Sequence, residues 1–253
     1  MDWSLKKLIS FDLDGTLTES KSNLTQDVAK ALCQLLLKRK VAVISGAAFP
    51  QFAKQFLANL GCPEDHLKNL FIIPMNGSSM YKFEDGAWQA LYEDKLSNEE
   101  KKKVMWAFEK AFKEVGFIAP ERPSGELIED RGGQITFSGL GSKAPLETKR
   151  VWDPDQEKRK PIRNALAKFL PEFEVKIGGT TSIDITRGGI DKAFGLHKLS
   201  QVLSTNESEM LYVGDALYEG GNDSSVKKLG VETIQVSGPK ESIEIIENIL
   251  ETR

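Results

Sequence analysis

Two aspartates stand one residue apart near the start of the chain, where an apolar run ends. Asp12 and Asp14 follow Leu8-Ile9-Ser10-Phe11 and precede Gly15. Side chains two residues apart on a strand point the same way, so both carboxylates can face one cleft. One carboxylate of such a pair can act as a nucleophile while the other transfers a proton. Gly15 lets the backbone turn tightly enough for its amides to approach an anion.

The same stretch also fits two simpler interpretations, a polar turn and a calcium-binding loop. A calcium loop needs further oxygen ligands at alternating positions, and Thr16-Leu17-Thr18 does not supply the EF-hand pattern. On these residues alone, the polar turn and the catalytic pair both stay open.

Two later stretches carry groups that could bind phosphate. Ser45 and Gly46 end a second apolar run and offer a hydroxyl and a flexible amide. Lys192 follows Gly189-Ile190-Asp191 at the start of a predicted helix. A helix dipole and a lysine could together bind a phosphate there. Taken singly, Lys192 also fits an ordinary surface lysine.

A further acidic segment ends a core strand near the C-terminus. Asp215 follows an apolar run, and Asn222 and Asp223 come soon after it. Together with the Asp12 and Asp14 pair, this segment gives oxygen ligands from two strand ends. Few protein ligands, all of them oxygen, with room for phosphate and water, suit Mg²⁺.

The elements that must position these residues are strands alternating with helices. Short apolar strands are predicted at residues 8–13, 41–45, 71–75, 210–214 and 232–236, with helices between them. This alternation predicts an α/β fold, a doubly wound, mostly parallel, Rossmann-like sheet. Ligands bind beyond the carboxyl ends of such strands, where the strand order reverses. The polar residues described above are therefore expected to meet at that edge.

The alternation of strands and helices changes in the middle of the chain. Residues 98–115 and 161–170 are typical of helices, and strands are predicted at 87–92, 126–130, 134–138, 174–177 and 182–185. This pattern predicts an α+β module inserted into the doubly wound domain. We expect a core domain of residues 1–83 and 189–253 and a cap domain of residues 84–188.

The four polar stretches resemble the ordered motifs of the haloacid dehalogenase (HAD) superfamily of phosphotransferases. The matching residues are the segment 11–18, Ser45, Lys192 and the segment 214–223. The resemblance implies an HAD-like core and an aspartyl-phosphate mechanism. In that mechanism Asp12 is the nucleophile, Asp14 is the acid and base, and Ser45 with the Gly46 amide binds phosphoryl oxygens.

The same resemblance implies how the charges are arranged. Lys192 and Mg²⁺ would offset the negative charge of the carboxylates and the phosphate. Asp12, the backbone carbonyl of Asp14, and Asp215 would bind the metal. Asn222 and Asp223 would orient that set of ligands or Lys192.

The inserted module resembles the cap of sugar-phosphate phosphatases and eukaryotic-type phosphomannomutases, with the latter closer. Arg131, before a glycine turn, and Ser182-Ile183-Asp184 match positions that contact the sugar phosphate in that family. The mutases carry a second phosphate-binding arginine after Gly141, and this chain has Ser142-Lys143 there. The resemblance thus implies substrate contacts from Arg131, Lys143, Ser182 and Asp184. Arg131 also fits a solvent-facing arginine, and the Ser182 and Asp184 pair a polar strand exterior.

Three functions agree with these residues. The first is a Mg²⁺-dependent phosphatase of a sugar phosphate or a similar small metabolite, which we favour because arginine grips a second phosphate better than lysine. The second is a phosphomannomutase that interconverts mannose 1-phosphate and mannose 6-phosphate. The third is a non-catalytic protein that binds sugar phosphates and has a regulatory role.

Composition excludes other classes of function. The 34 basic and 37 acidic residues give a formal charge of −3, so no basic field draws the chain to nucleic acid. The two cysteines belong to no Cys/His cluster, which argues against structural zinc. No long apolar run predicts a membrane span or a signal peptide, so we expect a reducing, cytoplasmic setting. We expect a monomer or a homodimer formed through the cap.

Overall fold

The computed structural model of the chain describes residues 3–20 and 22–252, which form two compact units. The core unit runs to Glu93 and resumes at Asp191, and the cap unit comprises Asp94–Ile190. The predicted boundaries, 83/84 and 188/189, therefore need correction. The larger change is at the first boundary, where ten further residues belong to the core.

The bounds of the elements are as follows. The strands are β1 (Leu8–Asp12), β2 (Lys40–Ile44), β3 (Leu70–Ile73), β4 (Ser79–Glu84), β5 (Ala87–Glu93), β6 (Ile128–Asp130), β7 (Gln134–Ser138), β8 (Phe173–Gly178), β9 (Ser182–Arg187), β10 (Met210–Gly214) and β11 (Glu232–Gln235). The α-helices are α1 (Gln26–Lys38), α2 (Phe49–Phe52), α3 (Ala58–Leu60), α4 (Glu64–Leu67), α5 (Asn98–Val115), α6 (Leu146–Trp152), α7 (Arg159–Phe169), α8 (Lys192–Leu203) and α9 (Pro239–Glu251). A π-helical segment, Ala53–Leu57, joins α2 to α3. Within the described ranges, every helix is too short or too polar to cross a membrane.

The core sheet has the strand order β11-β10-β1-β2-β3-β4-β5. Strands β11 to β3 run parallel, and β4 and β5 are antiparallel. The chain passes from β1 to β2 and β3 on one side and later adds β10 and β11 on the other side of β1. The strand order therefore reverses between β1 and β10, which confirms the predicted doubly wound α/β fold.

Strand β1 is buried on both faces of this sheet. Ile9 and Phe11 belong to one buried apolar cluster, whereas Leu8 belongs to another. Successive strand residues point to opposite faces, so an apolar run without alternation is what a sheet covered on both sides requires. Burying each large side chain contributes about 1.5–3 kcal/mol, which fixes the position of the strand end where Asp12 lies.

The hairpin β4–β5 explains the shifted domain boundary. Strand β5 had been predicted as part of the cap, but it pairs antiparallel with β4 at the edge of the core sheet. Phe83 and Trp88 pack edge to face across this hairpin, with ring centroids 5.5 Å apart. Every residue of β5 is exposed or half-buried. The sequence of Ala87–Glu93 predicts a strand but not the sheet to which that strand belongs.

The cap unit is a four-stranded antiparallel sheet, in the order β6-β7-β9-β8, with an apolar core on one face. Helices α5 and α7 supply Val104, Phe108 and Leu166 to this core, and the sheet supplies Phe137 and Ile183. Helix α5 begins with a capping box, in which Ser97 and Glu100 each accept a backbone N–H of the other. The predicted α5 and β7 have the bounds that the structure gives them.

A disulfide joins Cys33 of α1 to Cys62, two residues beyond α3. No sequence pattern pairs these cysteines, which lie 29 residues apart. Closing a loop of this length stabilises a fold by about 3.6 kcal/mol in the chain-entropy model. Disulfides persist in oxidising compartments, so this bond argues against the reducing setting that the sequence predicts. The reducing setting stays a prediction. Thiol titration of the purified native protein would show whether Cys33 and Cys62 are bonded or free.

Candidate active site

The predicted catalytic groups of the core unit meet where the strand order reverses. Asp12 is the last residue of β1, Ser45 follows β2, and Asp215 follows β10. Because β2, β1 and β10 are adjacent and parallel, their carboxyl ends lie along one edge. Asp12 and Ser45 are each only 3% exposed, so both polar side chains are enclosed at this edge.

A buried lysine links two of the carboxylates. The Lys192 ammonium donates to Asp12 Oδ1 and, at 2.6 Å, to Asp223 Oδ1, and its side chain is 1% exposed. Asp223 also accepts the hydroxyl of Tyr212 at 2.5 Å and, through Oδ2, the amide of Ala216 at 3.1 Å. Asp223 thus accepts three donors, which fixes its carboxylate and, through it, Lys192. Tyr212 was not identified from the sequence, because it reads as one more core residue of β10.

The position of Lys192 depends on the start of α8. Asp191 caps this helix by accepting the amide of Phe194 at 3.0 Å. Gly77 lies against the same turn, with a positive φ of 108°, and a Cβ there would stand 2.7 Å from the Asp191 carbonyl oxygen. Only glycine therefore allows α8 to come this close. The turn Pro74-Met75-Asn76-Gly77 carries a sequence signal for a bend, but not for this contact.

Asp215 lies against the loop that follows β1. Thr16 Oγ1 is 3.5 Å from Asp215 Oδ1, and a Cβ on Gly15 would stand 2.6 Å from Asp215 Oδ2. Gly15 also has a positive φ of 92°. Its amide, which we expected to approach an anion, donates to the Thr18 carbonyl at 2.7 Å instead. The glycine is needed for backbone conformation and for room beside Asp215.

Ser45 has the arrangement expected of a phosphate-binding hydroxyl. Its Oγ accepts the amide of Ala47 at 3.1 Å, so the hydroxyl hydrogen can still be donated to a phosphoryl oxygen. Asn76 donates its backbone amide to the Ser45 carbonyl at 2.9 Å and holds the backbone in place. Gly46 follows directly and is half-buried.

Asp14 accepts a hydrogen bond from a glutamine that no sequence pattern identifies. Gln55 Nε2 donates to Asp14 Oδ1 at 3.0 Å and to Thr18 Oγ1 at 3.1 Å. Gln55 is buried and lies in the π-helical segment, a helix form that is common at functional sites. The wider winding changes which side chains face the sheet, so helical periodicity could not identify it.

Replacing Gln55 with leucine is expected to lower kcat by about 10-fold to 100-fold, because a misplaced acid and base transfers protons poorly. Steady-state kinetics on the best substrate would measure the change. Gln51→Leu is the matched control, since Gln51 bonds Gln55 at 3.3 Å and lies one turn earlier in the same run of helix. Equal losses in both variants would contradict a specific role for Gln55.

Burial dominates the electrostatics of this site. It raises the pKa of Asp12 well above its ordinary value; Lys192 opposes that rise, and the charges of Asp223 and Asp215 add to it. Burial and Asp223 likewise raise the pKa of Asp215. Burial lowers the pKa of Lys192, but the Asp12 and Asp223 charges outweigh this effect and raise it overall. Three carboxylates with one ammonium leave the site short of positive charge.

The carboxylates have the spacing of a metal site. Oxygen atoms of Asp12, Asp215 and Asp223 lie within 4.8 Å of one another. Asn222 Oδ1 is buried and, within the described residues, has no hydrogen-bond partner. Oxygen ligands, surplus negative charge and an unsatisfied acceptor fit a hard divalent cation such as Mg²⁺. Because Asp223 already accepts three donors, Asp12 and Asp215 are the better placed ligands.

Mg²⁺ is expected to raise the thermal midpoint more at pH 8 than at pH 5. Since the pKa values of Asp12 and Asp215 are raised in the folded protein, protons compete with the metal at the lower pH. At a concentration 100 times its Kd, the ion would add about 2.7 kcal/mol. Differential scanning fluorimetry with MgCl₂ and with EDTA would measure this. An Asp215→Asn variant that responds as strongly as the wild type would contradict the assignment.

The candidate substrate residues of the cap unit are placed differently from one another. Ser182 and Asp184 are buried on β9, and Arg131 makes a 2.7 Å ion pair with Glu129. Lys143 is exposed, in a turn packed against Gly125. The substrate roles of all four residues stay predictions.

A second lysine of this region, Lys149 on α6, is the buried one. It is 3% exposed, and its Nζ donates to the Ser142 carbonyl at 2.9 Å. The enclosed ammonium of this region is therefore that of Lys149, whereas Lys143 is exposed.

A buried ion pair holds the turn that leads into Ser182. Arg159 Nε donates to Asp153 Oδ2 at 2.7 Å, and both side chains are almost fully enclosed. Arg159 Nη1 also donates to the carbonyls of Gly178 and Gly179, at 3.1 and 2.8 Å. The start of β9 is therefore anchored to the segment between α6 and α7.

Comparison with known proteins gives the family. The model of the family described as eukaryotic phosphomannomutase matches residues 28–252. A phosphomannomutase of Spinacia oleracea is 28% identical over 222 residues, which cover 85% of this chain and 84% of the relative. A probable phosphomannomutase of Caenorhabditis elegans is 25% identical over 259 residues, covering 98% and 96%.

Solved structures agree on the fold. The N-terminally truncated IMP-nucleotidase of Plasmodium falciparum superposes with a TM-score of 0.74 at 19% identity, covering 98% of this chain and 71% of that one. Protein 0175 of Thermoplasma acidophilum superposes with a TM-score of 0.60 at 19% identity, covering 96% and 98%. Together with the order of the strands and the catalytic motifs, these matches show that the chain belongs to the eukaryotic phosphomannomutase family of the HAD superfamily of phosphotransferases.

Proposed function

We propose that the protein is a Mg²⁺-dependent phosphotransferase that forms an aspartyl-phosphate on Asp12 and releases the phosphate of a small phosphorylated sugar to water. The observation that supports this most directly is the bridge that Lys192 forms between Asp12 and Asp223. The ammonium orients the Asp12 carboxylate and opposes the rise in its pKa that burial causes.

The first half of the reaction uses Asp12 as the nucleophile. An Asp12 oxygen attacks phosphorus, and the bond from phosphorus to the sugar oxygen breaks. Ser45 donates its hydroxyl to a phosphoryl oxygen, and Lys192 offsets charge on the nucleophile. Mg²⁺, held by Asp12 and Asp215, would neutralise charge on the transferred group.

Asp14 would move the proton in both halves. It gives a proton to the leaving sugar oxygen and then accepts one from the water that attacks the aspartyl-phosphate. The hydrogen bond from Gln55 to Oδ1 orients the Asp14 carboxyl group for these transfers. Asp14 is half-buried, which lets it exchange protons with solvent between the two halves.

Hydrolysis is favoured over mutase activity by the charges of the cap unit. A mutase must grip a second phosphate while the sugar turns round, and arginine does this with two parallel hydrogen bonds. Here Ser142 and an exposed Lys143 occupy the position after Gly141, and the charge of Arg131 is already shared with Glu129. The cap therefore offers a weak grip on a distal phosphate.

Phosphomannomutase activity is the second candidate. The relatives that match along 84% and 96% of their own length carry that name. The buried Lys149 ammonium, at the Ser142 carbonyl, supplies one cation near the position of the missing arginine. The non-catalytic alternative is disfavoured, since Asp12, Asp14 and Lys192 form a complete set of reacting groups.

One assay separates these functions. The purified protein would be incubated with MgCl₂, mannose 1-phosphate and a trace of hexose 1,6-bisphosphate, and both free phosphate and mannose 6-phosphate would be followed. We expect phosphate release with little isomerisation. Conversion to mannose 6-phosphate without phosphate release would establish the mutase instead. If neither free phosphate nor mannose 6-phosphate is formed but the sugar phosphate still binds measurably, the protein is the non-catalytic binding protein.

A further inference from the structure

One face of the cap sheet is polar and yet buried. It consists of alternate residues of two paired strands, Gln134, Thr136 and Ser138 on β7 and Ser182, Asp184 and Thr186 on β9; we call these six residues the polar face. Each has a relative exposure of 8% or less. Six enclosed polar side chains on one face are costly unless they are hydrogen-bonded or serve a ligand.

A chain of hydrogen bonds crosses this face. Thr136 and Asp184 lie directly opposite each other in the antiparallel pair β7–β9. Gln134 Nε2 donates to Thr136 Oγ1 at 2.8 Å, and Thr136 Oγ1 donates to Asp184 Oδ1 at 2.9 Å. The threonine hydroxyl therefore has both an incoming and an outgoing bond.

The direction of this chain follows from the charge of Asp184. An ionised carboxylate only accepts, so the single hydroxyl hydrogen of Thr136 must point to Asp184. The oxygen of Thr136 then needs a donor, which the Gln134 amide supplies. Lys176 lies directly opposite Asp184 on β8, so its side chain extends from the same face of the sheet. Gln134 and Thr136 thus hold Asp184 as a carboxylate of fixed orientation.

The space around Asp184 is shaped for that orientation. A Cβ at Gly178 would stand 2.7 Å from Asp184 Oδ2, so glycine at this position leaves room for the second carboxylate oxygen. The carbonyls of Gly178 and Gly179 are in turn fixed by Arg159. One oxygen of Asp184 is held by Thr136 and the other lies beside a glycine.

We propose that Thr136, supported by Gln134, is the positioning residue that sets which sugar hydroxyl Asp184 recognises. The inference rests on the proposed function insofar as the ligand is a phosphorylated sugar. A carboxylate of fixed orientation accepts hydrogen bonds only from hydroxyls that approach in a narrow range of directions. Epimers differ in the direction in which one hydroxyl points. A freely rotating carboxylate would adapt to several epimers and discriminate poorly.

The test measures binding and turnover separately. Calorimetry would give the Kd of mannose, glucose and galactose 1-phosphates for the wild type and for Thr136→Val, which keeps the shape and removes the hydroxyl. We expect the Kd of the best epimer to rise about tenfold, as for a hydrogen bond to a charged group, and the spread between epimers to shrink. For that epimer KM should rise while kcat changes little. Turnover of acetyl phosphate, which carries no sugar, should be unchanged.

Three further variants keep the test decisive. Thr136→Ser restores a hydroxyl and should recover most of the affinity. Thr186→Val is the matched control, because Thr186 lies on the same face and its hydroxyl donates to the Ile190 carbonyl at 2.7 Å. Gln134→Met keeps Thr136 but removes the donor to its hydroxyl oxygen. We expect it to raise Kd as well, by a smaller factor. It tests the same inference if Thr136→Val does not fold.

The outcomes for this inference and for the proposed function are distinct. Unchanged epimer selectivity in Thr136→Val, or an equal loss in Thr186→Val, would overturn the role of Thr136. A wild type that binds no hexose 1-phosphate would overturn it as well. A wild type that binds them selectively but releases no phosphate would leave the role of Thr136 intact and remove the proposed function.

Discussion

Replacing Asp12 with asparagine is expected to lower kcat by at least about 10³-fold while the fold is retained. The amide nitrogen and oxygen are poor nucleophiles, so no aspartyl-phosphate can form, and removal of a covalent nucleophile is among the most damaging single changes to an enzyme. The new side chain would be nearly isosteric with the aspartate, and Lys192 keeps its 2.6 Å partner Asp223. Phosphate release under saturating substrate would measure the loss.

The same substitution on the surface separates catalysis from stability. Asp27 is an exposed acid in the first turn of α1, so Asp27→Asn should have wild-type kinetics. Circular dichroism and cooperative thermal unfolding would show that both variants are folded. Mass spectrometry after rapid acid quench should detect a phosphorylated wild type and no phosphorylated Asp12→Asn. Residual activity above a few per cent in a folded Asp12→Asn variant would rule out the covalent mechanism.

The sequence was informative about the core site for a physical reason. Parallel strands place their carboxyl ends at one edge, so Asp12, Ser45 and Asp215 could be brought together without knowing any distance. Lys192 could be added because its place at a helix start, after a glycine pair, marks a junction. The sequence therefore predicted the position of each of these residues along its own strand or helix, because hydrophobic periodicity shows where the elements begin and end.

The contacts that could not be predicted depend on geometry across elements. Gln55 reaches Asp14 because the helix widens locally to π winding, and a regular α-helical pattern would place it elsewhere. Tyr212 and Gly77 look like ordinary core and turn residues until the distances to Asp223 and Asp191 are known.

In the cap, too, the elements could be predicted but the contacts between them could not. Its helix α5 and strand β7 follow their hydrophobic periods, so their bounds were predictable. The buried pair of Arg159 and Asp153 was not, because both residues lie in a polar segment that reads as surface. The placement of β5 in the cap was wrong for a related reason, since the sequence of Ala87–Glu93 predicts a strand but not the strand with which it pairs.

Removing the charge of Lys192 is expected to damage both activity and stability. In Lys192→Met a side chain of similar length remains, but Asp12 and Asp223 lose the ammonium they share. Breaking a buried ion pair by removing one partner costs about 3–5 kcal/mol, because a buried charge is left uncompensated. Activity should fall together with stability, since a protonated Asp12 is no nucleophile. Urea unfolding in EDTA would measure the first effect and phosphate release the second.

The size of the stability loss should depend on pH, with a sign that follows from the carboxylates. Burial raises the pKa of Asp12 in the folded protein, and without Lys192 the opposing effect disappears. A carboxyl group with a raised folded pKa contributes stability below its unfolded pKa and loses that contribution as pH rises through the folded pKa. The pKa of Lys192 is itself raised, so in the wild type the ammonium stays charged from about pH 5 to pH 8.

Lys192→Met should therefore be closest to the wild type at pH 5 and furthest from it at pH 8. Lys198→Met is the matched control, because Lys198 lies on the same helix and is exposed beside the Phe194 ring. That control should unfold at nearly the same urea concentration as the wild type at both pH values. A loss in Lys192→Met that is equal at pH 5 and pH 8 would mean that the buried carboxylates are not what the ammonium stabilises, and the charge balance proposed for the reaction would fail with it.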